Sequence, residues 1–222
     1  MFQTLTDQHQ VHPWKDPSIP FRRNYRLHIM IVLFWIFWIL AAIHPTQRKI
    51  WMAENILPVG LFLFLLFTYA KYRFSNLSYL LIFIFLCFHL YGGHYTYNQT
   101  PFDDWIKVLF HTKRSYYDRV VHFLFGVFWT YPIYELFTRT TVVKKGIWIY
   151  VIPVIIVFAC SSFYEIIEWS TTLLPGRSGN DYMGMQGDIF DSQKDMGLGL
   201  LGSLFAIGIL WKKRKRIHKF PN

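Results

Sequence analysis

Charged side chains are sparse in this chain, and most of the acidic ones stand beside long apolar runs, where they are costly and by default mark function. Asp118 and His122 are four residues apart and Glu165 and Glu168 three apart, so each pair shares one face of a helix. Asp188, Asp191 and Asp195 follow at spacings of three and four and form one acidic stripe. A carboxylate beside an imidazole is the pairing that general acid–base catalysis uses, and these seven residues are the catalytic candidates. Gathered together, so many carboxylates need a bound cation, nearby Arg or Lys, or shared protons to offset their repulsion. Oxygen ligands with an imidazole suit Mg²⁺, Mn²⁺, Ca²⁺ or Zn²⁺, and His122, Glu168, Asp188 and Asp191 are the candidate ligands of such a divalent ion. The ion would activate water or hold a phosphate. Arg119, Arg177 and Lys194 are available as internal counter-charges, and with Gln186 they are the candidate substrate-binding groups, Arg177 for an anionic headgroup.

The same residues have structural readings. Asp118 and Asp188 stand near helix starts, where a carboxylate caps free amides and favours the dipole. Asp118 with His122 reads equally as a hydrogen bond that only holds a helix. Glu135 and Arg139 lie at the opposite end of their run and read as a salt bridge.

The elements that must position these groups are apolar helices. The chain of 222 residues is 53% hydrophobic, 20% aromatic and only 16% charged, a composition that suits lipid rather than water. Six runs, 27–43, 51–70, 77–91, 120–137, 146–162 and 196–211, are long enough to cross a bilayer, and the fifth continues as a more polar helix towards Leu174. Backbone amides in lipid must be satisfied within their own segment, so the runs are read as helices of one all-α polytopic transmembrane bundle. Residues 1–26 form a polar tail, 27–211 the single transmembrane domain, and 212–222 a basic tail. Pro58, Gly60 and Pro153 are candidate breaks inside spans.

The net charge of +10 comes in short clusters between the runs, which points to topology and phospholipid contact rather than to nucleic acid. Lys15, Arg22, Arg23 and Arg26 precede the first span, and Lys212 to Lys219 follow the last, so both termini are expected in the cytoplasm. The acidic groups, with Glu54, His89 and His94, then fall at the outer ends of their helices. Cys87 and Cys160 lie inside apolar runs and indicate no disulfide framework. Between the third and fourth spans, Trp105, Ile106, Leu109 and Phe110 recur at helical spacing, which fits a short helix lying in the membrane interface or, equally, a plain capped surface loop. Gly197, Gly199 and Gly202 match the G-x-G-x-x-G fingerprint, but inside an apolar span they are better read as small residues for close helix packing.

The ordered segments Tyr117–Phe123, Glu165–Trp169 and Gln186–Met196 resemble the uncharacterised bacterial YjdF family of inner-membrane proteins, and the likeness runs from the first span to the last. Family members tend to carry Trp at the place of Phe190, and Arg-Asn ahead of the Tyr-Asp-Arg where this chain has Lys113-Arg114-Ser115. The resemblance implies a bacterial plasma-membrane location and no particular activity. A looser similarity reaches the VanZ-like family, linked to glycopeptide-antibiotic resistance. There Asp118 and His122, Arg177, Asp188 or Asp191, and the glycines 197–202 fall in comparable order. That similarity points towards envelope lipids or cell-wall precursors as partners, beside the membrane lipids themselves.

Three functions remain open on these grounds. The first is an outward-facing enzyme or headgroup binder, with or without a metal. The second is an ion-coupled carrier, and the third is an accessory membrane protein whose polar cluster is a folding device.

Overall fold

Hydrocarbon offers backbone amides no partners, so each apolar run closes its own hydrogen bonds as a helix. The structure, a computed structural model, describes residues 12–112, 114–140, 146–172 and 188–219, and all regular structure among them is helical. The elements are α1 (Tyr25–Ala42), α2 (Arg48–Glu54), α3 (Ile56–Thr68), α4 (Asn76–His94), α5 (Pro101–Phe110), α6 (Tyr117–Thr140), α7 (Trp148–Thr172) and α8 (Asp191–Lys219). Together they supply six segments long and apolar enough to cross a membrane, with α2 and α3 forming one interrupted span. The expected spans are therefore present, and those of α6, α7 and α8 run further into polar sequence than hydropathy alone indicates. The chain is a multi-pass membrane protein.

The interruption falls at Asn55, ahead of the expected Pro58 and Gly60. Proline has no N–H, so Pro58 leaves the carbonyl four residues earlier, that of Glu54, without its helical donor. His89 Nε2 on α4 lies 3.0 Å from that carbonyl oxygen and replaces the donor. Asn55 covers the rest of the break: its Nδ2 donates to Trp51 O at 2.6 Å and its Oδ1 accepts from Trp38 Nε1 at 2.6 Å. Pro153, by contrast, lies within a continuous α7.

α4 is the most buried span, with Tyr79, Ile82, Phe85, Leu86, His89 and Leu90 all buried. Phe34 of α1, Ile82, Phe85 and Leu86 of α4 and Val121 of α6 form its main apolar cluster. The tightest packing is between α6 and α8. A Cβ added to Gly126 would collide with Gly199 O and Ser203 N, and one added to Gly202 would collide with Phe123 O. Gly199 also admits Ser161 of α7, whose Oγ would stand 2.8 Å from an added Cβ. Without a hydrophobic force between helices in lipid, such close backbone approach is what holds them together. Gly199 and Gly202 thus serve the packing expected of them, whereas Gly197 faces open space.

α5 does form in the long connection. Thr100 caps it, accepting from Asp103 N at 3.1 Å, and His111 ends it in the left-handed conformation at φ 50°. Trp105, Val108, Leu109 and Phe110 are exposed, an apolar face that suits the edge of a bilayer.

Candidate functional site

Six chain segments end at one level of the bundle: the C-termini of α1, α4 and α7 and the N-termini of α2, α6 and α8. Their polar side chains form two layers there.

The rim is an Arg–Asp lattice. Arg114, in the turn before α6, donates from Nη1 to Asp188 Oδ2 at 2.9 Å and from Nη2 to Asp191 Oδ1. Arg119 Nη2 donates to the same two oxygens, at 2.8 and 3.1 Å. Lys194 Nζ adds a third donor to Asp188 Oδ2 at 2.5 Å. Asp188 also accepts the Phe190 amide at 3.1 Å, a bond within the turn ahead of α8 rather than the helix cap expected of it. The Lys194 ammonium first of all, with the Phe190 amide and Arg119 beside it, holds the Asp188 carboxyl well below the usual carboxylate range. The Nε atoms of both arginines are buried without a hydrogen-bond partner.

Beneath the rim, acids outnumber bases. His122 Nε2 lies 3.1 Å from Glu165 Oε1 on α7 and 3.7 Å from Asp118 Oδ1 one turn back on α6, while its Nδ1 stands 3.4 Å from Ser161 Oγ. The Glu165 approach is at ion-pair distance but out of line for a hydrogen bond, and Glu165 Oε1 has no other hydrogen-bond partner. Asp195 on α8 is 2% exposed, and its Oδ1 is likewise buried without a partner. Glu168 follows Glu165 by three residues on α7 and so stands on the same face of that helix.

A third cluster adjoins these. Tyr164 of α7 donates to Glu54 Oε2 at 3.0 Å, and Glu54 Oε2 lies 3.8 Å from His89 Nε2. His89 Nε2 donates to the Glu54 carbonyl, and in the neutral imidazole Nδ1 accepts the Tyr97 O–H at 2.6 Å. Burial, with the nearby Glu54 carboxylate adding to it, pushes the Tyr97 phenol well above its ordinary range, so it stays a donor.

The expected catalytic residues Asp118, His122, Glu165, Glu168, Asp188, Asp191 and Asp195 are thus brought to one end of the bundle. Arg119 and Lys194 join them, whereas Arg177 and Gln186 lie outside the described residues. The four expected metal ligands do not form one set: Asp188 and Asp191 take guanidinium partners, and His122 takes Glu165 and Asp118. Among the described residues, no three His, Cys, Asp or Glu side chains are grouped as a metal ion requires.

Sequence reading missed Arg114, Tyr97, Tyr164 and Asp103. Arg114 sits just ahead of the Tyr-Asp-Arg segment, which is the one signal that pointed to it. Asp103 is fully buried: its Oδ1 accepts the Tyr116 and Tyr117 amides at 2.6 and 3.0 Å, capping α6 from the neighbouring α5. It thereby fixes the helix start that presents Asp118, Arg119 and His122.

Residues 26–216 match the family described as "Predicted membrane protein (DUF2238)". The chain belongs to this family. The inner membrane protein YjdF of Escherichia coli (strain K12) is 30% identical over 169 residues, covering 76% of this chain and 81% of that protein. The likeness to YjdF read from the sequence is therefore confirmed, and with it the placement in a bacterial inner membrane. No solved structure matches the DUF2238 chain.

Proposed function

We propose that this DUF2238 protein works at the outer leaflet, where its acidic end receives the polar headgroup of an envelope lipid or lipid-linked cell-wall precursor and exchanges protons with it. The carrying observation is His122 held between Glu165 at 3.1 Å and Asp118 at 3.7 Å, on the same helix as Arg119, whose guanidinium binds Asp188 beside that of Arg114. An imidazole so placed passes a proton to or from a bound hydroxyl or phosphate oxygen, and a carboxylate on each side supports either protonation state. Arg114, Arg119 and Lys194 supply the donors that an anionic headgroup would take over from Asp188 and Asp191. The distribution of basic residues supports the outward orientation. No step is assigned to a metal, because Asp188 and Asp191, two of the four expected ligands, are already held by arginines.

The test is reconstitution into vesicles of total envelope lipid, followed by headgroup analysis of both the vesicles and the lipid that copurifies. His122→Gln and Glu165→Gln are expected to abolish headgroup turnover while retaining copurified lipid, and Arg119→Gln to shed that lipid. Identical inventories for wild type and all three variants would overturn the reading.

The surplus of buried carboxyls over bases favours a second reading, a proton-coupled carrier. It ranks lower because carriers place such groups near the bilayer midplane, and these lie at one end. Acidification of vesicles carrying the protein, absent in Asp195→Asn, would promote it.

A further inference from the structure

The opposite, basic end of the bundle holds a cavity that the acidic site does not use. It has a volume of about 550 Å³, within the roughly 300–1,000 Å³ range of ligand sites. It lies between α1, α3 and α4, with Met30, Phe34, Leu65 and Ile82 in its walls and Phe21, Tyr69 and Ala70 at its mouth. The walls are almost wholly apolar, which in a bilayer calls for hydrocarbon and leaves the ligand's polar part to the mouth.

Depth decides how much hydrocarbon. From Leu27 to Phe34 on α1 and from Tyr79 to Leu86 on α4, the lining covers seven residues of rise, about 10 Å. That is shorter than one leaflet of about 15 Å, so the groove takes chain from the basic-end leaflet only.

The mouth decides the headgroup. Arg22 and Arg23 are exposed next to Phe21, Lys71 follows Ala70 and is exposed, and the Arg73 guanidinium lies 5.5 Å from the Tyr69 ring centre. Phe21 packs on Tyr69 with ring centres 5.6 Å apart, so both arms of this cluster meet at one place. Among the described residues no carboxylate stands within ion-pair distance of these four cations, in contrast to the Arg139–Glu135 pair nearby. His28 Nε2, beside Phe21 at a ring separation of 4.6 Å, is buried without a hydrogen-bond partner. Four cations without an ion-pair partner among the described residues, set over a one-leaflet apolar slot, are complementary to an amphiphile with an anionic head.

We infer that the α1–α3–α4 groove is a binding site for one acyl chain of an anionic phospholipid, whose phosphate sits on Arg22, Arg23, Lys71 and Arg73. The site is separate from the acidic end and stands whether or not that end acts on lipid.

The experiment offers the purified protein, in neutral detergent, equal amounts of phosphatidylglycerol and phosphatidylcholine with identical chains, and weighs retained lipid by native mass spectrometry. Wild type is expected to retain phosphatidylglycerol preferentially at low salt. Joint Arg22→Gln, Arg23→Gln and Lys71→Gln substitution should cut that preference by on the order of a hundredfold, since each of the three surface cations contributes about fivefold. Leu66→Trp, which fills the slot from its exposed wall, should lower retention of both lipids. Equal retention of the two lipids by wild type, retention of neither, or an unchanged preference in the triple variant would overturn the inference. A dimer that buries the groove and sheds lipid would also overturn it and make a second copy the occupant.

Discussion

Glu135 has four donors around one carboxylate. It accepts from Ser75 N at 2.8 Å, from Ser75 Oγ at 2.7 Å, from Ser78 Oγ, and from Arg139 Nη1 at 2.6 Å. Arg139 in turn donates to Arg73 O at 2.6 Å and lies 4.4 Å over the Tyr72 ring. The four-residue spacing of Glu135 and Arg139 announced their pair, but nothing local announced that Glu135 also caps α4. Asp103 repeats the pattern at the other end by capping α6 from α5. Such partners are chosen by tertiary contact, so a single sequence gives the donor and the acceptor without the match. Replacing Glu135 by Ala leaves the Ser75 amide and hydroxyl buried without an acceptor and should cost about 3 kcal/mol. The check is a lower thermal midpoint in detergent, with Arg139→Lys losing clearly less.

At the scale of elements, the helices were legible because a run of about twenty apolar residues has one solution in lipid. The Asp118–His122 pair was legible too, since helical spacing alone puts it on a shared face, whereas the acidic stripe was so only in part: Asp191 and Asp195 lie on α8, and Asp188 stands in the turn before it. The break at Asn55 was less so: Pro58 signalled it, yet the position depended on His89 and Asn55 supplying the missing bonds. The glycines of α8 divide the same way, for spacing identified a packing face without saying which members touch. Gly126→Ala should separate α6 from α8 and destabilise the bundle by about 2 kcal/mol, since backbone rather than a flexible side chain stands in the way. Gly197→Ala, facing open space, should be neutral or slightly stabilising. Thermal midpoints of the two variants in the same detergent decide the contrast.

Across the whole molecule, charge is polarised: most of the described carboxylates gather with their arginines at one end, and the other end carries the basic clusters with the Glu135–Arg139 pair among them. This polarity follows from the order of spans and turns, and it is the reason that a one-dimensional reading brought the acidic residues together. It also sets an expectation for orientation. A fluorescent protein fused after Asn222 should glow in the cytoplasm, and a phosphatase fused there should be inactive. The reverse result would turn the acidic end towards the cytosol and remove the envelope-lipid reading. The bond between Ser75 and Glu135, finally, spans 60 residues of chain. At synthesis rates of roughly 5–20 residues per second, the third span waits some 3–12 s after emerging before the acceptor for its first amide exists. During that interval water and headgroups must solvate the start of the helix. The bundle therefore locks only after the fourth span has entered the bilayer, and a ribosome that stalls between them leaves an inserted but unlatched intermediate.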